Sequence, residues 1–464
     1  MDLLLTHGYF LYEDAKELQI MKPYPPLGIL YICSYLRKHG FRVEVFDSTF
    51  SSRQSLLDVL NQSTPSVLGV YANLMTRASA VEIIGAAKQC GWKVMVGGPE
   101  PSAYPREYLD AGADVIVNGE GELTVAELLP RLGSGSPDGI AQVEGISFRT
   151  AAGEIVTTRP RPQIRDLDAL PWPARDAIDV ERYVSTWRQH HGMGSVSLIT
   201  ARGCPYHCRW CSHEVFGRSH RRRSPGSVAD ELAALVERYQ PDIAWIADDV
   251  FTIHHGWLRQ YADELKSRGL RIPFECISRA DRLNDEVADI LAGLGCFRLW
   301  IGSESGSQRV LDRMERGVTV EQVQSAVAQC RKRGIETGMF LMWGYEGEEL
   351  EDIEATIEHV KTANPDVFFT TVAYPIKGTR YFAEVADRVE NPNPWRTSSD
   401  RQAGIRGRHS RRYYSLADQL LKTEVELERL KTSLHPDPSV ITTKQEEIMQ
   451  FRAGMRSCSS EVEA

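Results

Sequence analysis

The stretch "SVSLITARGCPYHCRWC", residues 195–211, decides how the rest of the chain is read. Its first part, "SVSLIT", is short, apolar and β-branched, the pattern of a buried strand. Its second part crowds Cys204, Cys208 and Cys211 into eight positions, with Gly203 and Pro205 around the first. A strand that runs straight into a ligand-bearing loop belongs to parallel α/β folds, where chemistry gathers at strand ends. Three soft ligands on one loop can hold a metal, yet three is one too few for a closed tetrahedral site.

Reading onward from that strand, apolar runs alternate with helical patterns. Strands are expected near 196–201, 243–247, 273–277, 297–302, 335–341 and 366–373. Six βα units fall short of a closed (β/α)8 barrel, so an open (β/α)6 barrel is expected. The marked residues fall at strand ends. They are the cysteine loop, Asp248-Asp249, the group Glu275, Ser278 and Arg279, then Ser303, Glu304 and Ser305 of "GSESGS", and Gly344. The helix "SPGSVADELAALVERY" carries Ser227 and Asp230 at capping-box spacing.

Reading backward, the first third also alternates. "DLLLTH", "RVEVFD", "SVLGVYAN", "KVMVGGP" and "ADVIVNGEGE" are strands with helices between them, a doubly wound parallel sheet. His7-Gly8, Gly97-Gly98 and Gly119-Glu120-Gly121-Glu122 mark its strand ends. Glycine there lets backbone approach a ligand, or only makes a tight turn. "VEGISFRTAAGEIVTTRP" reads as a hairpin around Ala152-Gly153, followed by a proline-rich linker. The expected division is 1–142 (Rossmann-type), 143–195 (hairpin and linker), 196–390 (barrel) and 391–464. In the last part, "NPNPWRTSSDRQAGIRGRHSRR" is expected to be a mobile basic loop. "YSLADQLLKTEVELERLKTSL" is an amphipathic lid or packing helix, and the final residues are expected to fray.

Composition narrows the function. At 464 residues the chain exceeds one ordinary core. A net charge of −9 argues against general nucleic-acid binding. The run Arg218 and Arg221 to Arg223 then reads as a solvated or cluster-flanking face rather than an RNA patch. No apolar run approaches the roughly 20 residues that cross a bilayer, and the start has no basic leader. Nine cysteines, odd in number and mostly isolated, suit a reducing cytoplasm.

Two metals compete for the cysteine loop. Zinc would need a fourth ligand, from His207 or His213. A [4Fe-4S] cluster takes three thiolates and leaves one iron open. The tight spacing and the place after the first barrel strand favour the cluster.

"CPYHCRWC", with aromatic Trp210, resembles the radical S-adenosylmethionine (SAM) enzymes. "WIADDVFT", "ISRADRL", "LWIGSESGSQRVLDRM", "RGIETGMFLMWGYEGE" and "YPIKGTRYF" follow in the order of that superfamily's barrel. "PPLGILYICSYLRKHGFRVEVFD", "VMVGGPEPS" and "ADVIVNGEGELT" resemble the cobalamin-binding domain of the subgroup with the anaerobic magnesium-protoporphyrin ester cyclases. The resemblance implies a cluster on Cys204, Cys208 and Cys211. SAM on its open iron would be cleaved to a 5′-deoxyadenosyl radical that abstracts hydrogen. It implies Trp210 near the adenine, and Ser303, Glu304 and Ser305 at the ribose or methionine end. Arg279 would meet the SAM carboxylate, and the Gly344 backbone would lie against the adenine. Local alternatives are a helix cap for Glu304 and a pair with Asp281 for Arg279. Gly97, Gly98, Gly119 and Glu120 would belong to a cobalamin site.

Cobalamin itself is left open. The signature DxHxxG is absent, and Glu100 stands in "GGPEPS" where many relatives have His, close to a phosphate-bearing tail. Without cobalamin, the radical would drive dehydration of a polyhydroxylated or amino-sugar substrate, as in a similar radical diol dehydratase of aminoglycoside antibiotic biosynthesis. Asp248, Asp249 and Glu275 would supply an acidic cavity and the acid or base. Neighbouring carboxylates on a strand point opposite ways, so one of Asp248 and Asp249 is expected inside and the other holding the loop. With cobalamin, methyl transfer or ring rearrangement is expected. Dehydration is preferred and methyl transfer ranks second. A flavodoxin-type electron donor and a nicotinamide-dependent reductase are the expected partners. A non-enzymatic cobalamin or zinc regulator is the alternative outside enzymology.

Overall fold

The computed structural model describes residues 1–133, 137–391, 393–433 and 436–463. The chain forms two compact units. One takes Met1–Pro205, Ser212–Asp248 and Asn393–Asp400; the other takes Tyr206–Cys211, Asp249–Pro392 and Arg401–Ala464.

The first unit is built on β1 (Leu3–His7), β2 (Val43–Phe46), β3 (Val67–Tyr71), β4 (Lys93–Gly97), β5 (Val115–Val117), β6 (Ile146–Arg149) and β7 (Ile155–Thr157). Their order is β2-β1-β3-β4-β5-β6-β7. The first five are parallel, and the expected hairpin adds β6 and β7 antiparallel at the edge. Alternate side chains enter two cores. Leu4, Val70, Val94 and Ile116 face one layer, and Leu3, Leu5, Met95 and Val115 face the other. Burial on both faces is what makes these strands read as continuous apolar runs.

The same unit holds β8 (Ser195–Leu198), β9 (Ala201–Arg202), β10 (Arg221–Arg222) and β11 (Ile243–Ile246). β8 and β11 pair in parallel, and β9 and β10 pair antiparallel as the stem of the cysteine loop. The helix after the stem starts earlier than its sequence suggests. Ser224 is the N-cap, its side chain accepting from the Ser227 N–H, with Pro225 at the first position. A proline that needs no N–H fixes the start there, so Ser227 and Asp230 lie inside the helix.

The second unit carries β12 (Phe274–Ser278), β13 (Cys296–Glu304), β14 (Glu336–Trp343) and β15 (Val367–Val372), all parallel. The six strands expected for the barrel are all present, β8 and β11 in the first unit and β12 to β15 in the second, each within a few residues of its expected place. The helix Arg411–Lys431 packs on Leu341, Trp343, Ile353 and Ile357. It is a packing helix.

Two expectations for the C-terminal segment fail. Residues Asn393–Asp400 are pinned, not mobile: buried Arg77 reaches Glu100, the Ser398 carbonyl and Asp400 Oδ1, and Trp395 packs edge-on against Tyr108. The chain end is also tied down, since Glu463 accepts from Arg408 at 2.8 and 3.0 Å and Val462 bridges His409. Both contacts join residues far apart in sequence. Among the described residues, no helix is long and apolar enough to cross a membrane.

Candidate functional site

In the first unit, the stem of the cysteine loop is set by Asp248. Its carboxylate accepts from the Thr200 N–H (2.7 Å), the Ala201 N–H (3.0 Å), the Thr200 hydroxyl and Arg222 Nη2 (3.0 Å). It is buried and fully engaged, so it holds the loop and is not a free acid. Asp249, in the second unit, is exposed. Gly203 has φ +84°, and a Cβ there would lie 2.4 Å from the Ser219 carbonyl. Only glycine lets the two arms close.

In the second unit, the centre of the site is Cys208. None of the three motif cysteines is in a disulfide; Cys208 is buried, Cys204 and Cys211 half-buried. Arg316 Nη1 donates to Cys208 Sγ at 3.7 Å and Arg279 Nη1 at 3.9 Å. The Cys208 thiol is pulled down to about 5, first by its hydrogen bond with Cys211 and then by the two guanidiniums. Cys211, which keeps the shared proton, is pushed up. The loop is fixed through its backbone: the Arg209 N–H donates to the Met314 carbonyl (3.0 Å), and the Arg209 carbonyl accepts from the Tyr381 N–H (2.9 Å).

β13 ends in a bulge between Gly302 and Glu304, and Glu304 has φ +64°. Such a left-handed residue without glycine's freedom is held there by its surroundings. Glu304 is buried, and burial pushes its carboxyl up to about 7. Arg316 Nε lies 3.6 Å from Glu304 Oε1 but makes no hydrogen bond. A Cβ on Gly302 would lie 2.6 Å from both Arg316 Nη2 and Glu304 Oε1, so glycine makes room for the pair.

Other residues have partners that sequence did not reveal. Ser303 Oγ bonds His359 Nε2 at 2.9 Å, and Ser305 Oγ bonds Thr356 Oγ1 at 3.2 Å. Both serines fasten β13 to the helix Leu350–Ala363, while Glu304 faces Arg316. Arg279 also donates to Asp281 (2.8 Å) and the Arg316 carbonyl (2.9 Å), and its guanidinium lies 3.6 Å over the Tyr206 ring. It therefore faces Cys208, with the Asp281 pair also formed. Gly344 meets protein: its N–H donates to Glu348 Oε2 (2.6 Å), and an added Cβ would strike the Tyr414 ring at 2.8 Å. Trp210 packs with Met342, Tyr345 and Tyr381, and its Nε1 is buried with no hydrogen-bond partner. Glu275 is buried and accepts from Trp300 Nε1 at 2.9 Å. Arg316 was missed; its only sequence mark is the "ERG" turn after a helix.

The donor set fits a thiolate-held cluster. Arg279, Arg282 and Arg316 face Asp281 and a Glu304 that resists ionisation, which leaves positive charge for an anionic group. Hydrogen bonds to ligating sulfur are a usual support of iron–sulfur centres. Among the described residues, no three His, Cys, Asp or Glu side chains converge as ligands of a single ion would.

A cavity of about 360 Å³ lies within the first unit, past the carboxyl ends of β4 and β5. Ser102, Asn118, Gly119, Glu120 and Arg161 line it. Ser102 Oγ, Asn118 Oδ1 and Arg161 Nε are buried without hydrogen-bond partners. Buried polar atoms left unpaired by protein are free to take a ligand or an ordered water. A hydroxyl, an amide oxygen and a guanidinium N–H fit the ribose and phosphate of a cobalamin tail. Glu100 is buried against Arg77 and Tyr108 and does not line the cavity; the carboxylates that do are Glu120, paired with Arg202 and Arg221, and Glu214, whose carboxyl is pushed up by burial. Gly97 and Gly98 serve the sheet: a Cβ on Gly98, at φ +117°, would lie 2.2 Å from the Ala72 carbonyl.

Residues 198–360 match the Radical SAM superfamily, and residues 19–129 match the B12 binding domain. An uncharacterized methyltransferase of Pyrococcus horikoshii is 30% identical over 378 residues, 79% of this chain and 80% of that protein. The anaerobic magnesium-protoporphyrin IX monomethyl ester cyclase of Rubrivivax gelatinosus is 27% identical over 402 residues, 84% of this chain and 71% of that protein. In fold the chain is similar to the cobalamin-dependent S-adenosylmethionine radical enzyme OxsB with aqua-cobalamin bound. The TM-score is 0.74 at 18% identity, over 98% of this chain and 76% of that one. A radical SAM domain implies a [4Fe-4S] cluster and SAM. The relatives favour the reading that the sequence ranked second, methyl transfer or cyclisation, over dehydration of a sugar.

Proposed function

Because the chain belongs to the radical SAM superfamily and carries a B12 binding domain, we propose that it is a cobalamin-dependent methyltransferase acting on a carbon or phosphorus centre of a small organic substrate. The observation that carries this is the cavity at the ends of β4 and β5, with its three unpaired buried polar atoms. When bound, the cluster supplies the electron that cleaves SAM, and the corrinoid carries the methyl group. The chain's own residues bind and orient. Cys204, Cys208 and Cys211 hold the cluster. Arg279 and Arg316 keep the Cys208 sulfur ionised and fixed. Glu304, raised on its bulge, faces the SAM end, and Trp210 offers a ring to the adenine. Asp248 holds the loop stem through the Thr200 and Ala201 N–H groups. Ser102, Asn118, Gly119 and Arg161 receive the corrinoid tail. A flavodoxin-type protein is the electron donor in this reading.

The test is anaerobic reconstitution with iron, sulfide and hydroxocobalamin, followed by reduction with SAM. Tightly bound corrinoid and S-adenosylhomocysteine support methyl transfer. 5′-Deoxyadenosine alone, with no bound corrinoid, would return the preference to dehydration.

A further inference from the structure

We propose that filling of the cavity and loading of the cysteine loop are energetically coupled through Glu120, an inference that rests on the corrinoid reading above. Beside a broad wall from the hairpin and linker (Gly145, Ser147, Thr157 and 160–164), two further walls of the cavity matter here. Ser102, Asn118 and Gly119 come from the ends of β4 and β5, whereas Glu214, Val215 and Gly217 come from the chain just after the third cysteine. A ligand there touches the residues that follow Cys211 in the chain.

Glu120 joins the two walls. Its Oε1 accepts from Arg202 Nη1 at 2.8 Å. Its Oε2 accepts from Arg221 Nη1 and from the Ile164 N–H, at 2.7 and 2.9 Å. Arg202 also donates to Glu122 Oε1 at 2.5 Å. Arg202 and Arg221 are opposite each other in the β9–β10 pair, so one buried carboxylate grips both strands of the loop stem. The arm is tied as well, since the Phe216 carbonyl accepts from Gln163 Nε2 (2.7 Å) and Arg221 Nη2 (3.2 Å). Glu120 and Arg202 are each about 5% exposed at the side chain.

Buried charges of this kind hold only as a set, because removing one leaves its partners unpaired in a medium that penalises them. The stem and the cavity wall are therefore ordered together. A ligand that contacts 214–217 bears on the same buried set that holds the stem, and the effect must run both ways. Glu120 is a positioning residue here: it acts on the cluster through the stem.

Two measurements test this on the full chain. Hydroxocobalamin is titrated, by its visible spectrum, into anaerobic protein with and without a reconstituted cluster. The cluster-loaded form is expected to bind at least about fivefold tighter, and in Glu120→Gln that ratio is expected to fall to about one. Separately, hydroxocobalamin added to cluster-free wild type is expected to slow amide exchange across residues 203–220. Equal affinities in the two wild-type forms, or a ratio unchanged in Glu120→Gln, overturn the coupling. Unchanged exchange in the wild type overturns it without any variant. If neither form binds corrinoid, the methyl-transfer reading itself falls and takes the coupling with it.

Discussion

Two sets of buried arginines divide this protein. In the first unit the buried arginines meet carboxylates: Arg77 reaches Glu100 and Asp400, Arg175 and Arg223 share Glu231, and Arg202 meets Glu120, which half-buried Arg221 shares. In the second, Arg316 faces the sulfur of Cys208 and a glutamate that resists ionisation, and Arg279, though paired with Asp281, turns a second N–H to the same sulfur. Matched charges make a scaffold, since each desolvated ion has its partner in place. Unmatched charges make a site, since the missing partner arrives with the ligand.

The largest break in that comparison comes at Cys208. Cys208→Ala is expected to lose stable iron and all reductive cleavage of SAM, while the far-ultraviolet circular dichroism stays unchanged. Next comes the scaffold. Glu231→Ala strands two buried guanidiniums and is expected to destabilise the chain by about 3–5 kcal/mol in urea unfolding. Arg316→Met gives the contrast: stability within about 1 kcal/mol of wild type, with a changed cluster midpoint potential. Equal destabilisation by the two variants would erase the distinction.

A third effect is set by pH. Burial holds His359 down to about 4, below its ordinary 6.5. The unfolded chain therefore takes the proton first, and stability, full above about pH 6.5, is lost as pH falls toward 4. The whole loss is about 3 kcal/mol, read as the difference between wild type and His359→Gln across that range. The smallest effect belongs to Ser303. Ser303→Ala is expected to cost about 1 kcal/mol and to leave SAM affinity unchanged, because its hydroxyl faces His359.

Much of the fold was legible because its signals are local. The strands showed as short apolar runs between turn residues, the hairpin showed at Gly153, and the cysteines showed by spacing. What stayed hidden depends on partners far along the chain. Glu120 finds Arg202 and Arg221 some 80 and 100 positions on, and Arg77 finds Asp400 more than 300 positions on. Tyr414 fills the space at Gly344 from a helix that no motif connects to it. At "GSESGS" the bulge decides which side chains face the site, and a bulge leaves no mark in a one-letter string. The preference for dehydration leaned on Asp248, whose bonds to Thr200, Ala201 and Arg222 are tertiary.

The most direct test assays iron, sulfide and corrinoid on one anaerobically reconstituted sample, then follows SAM after reduction. About four irons and one corrinoid per chain, with S-adenosylhomocysteine released, is the expected result. Zinc in place of iron, or a full cluster without corrinoid that releases only 5′-deoxyadenosine, would contradict it.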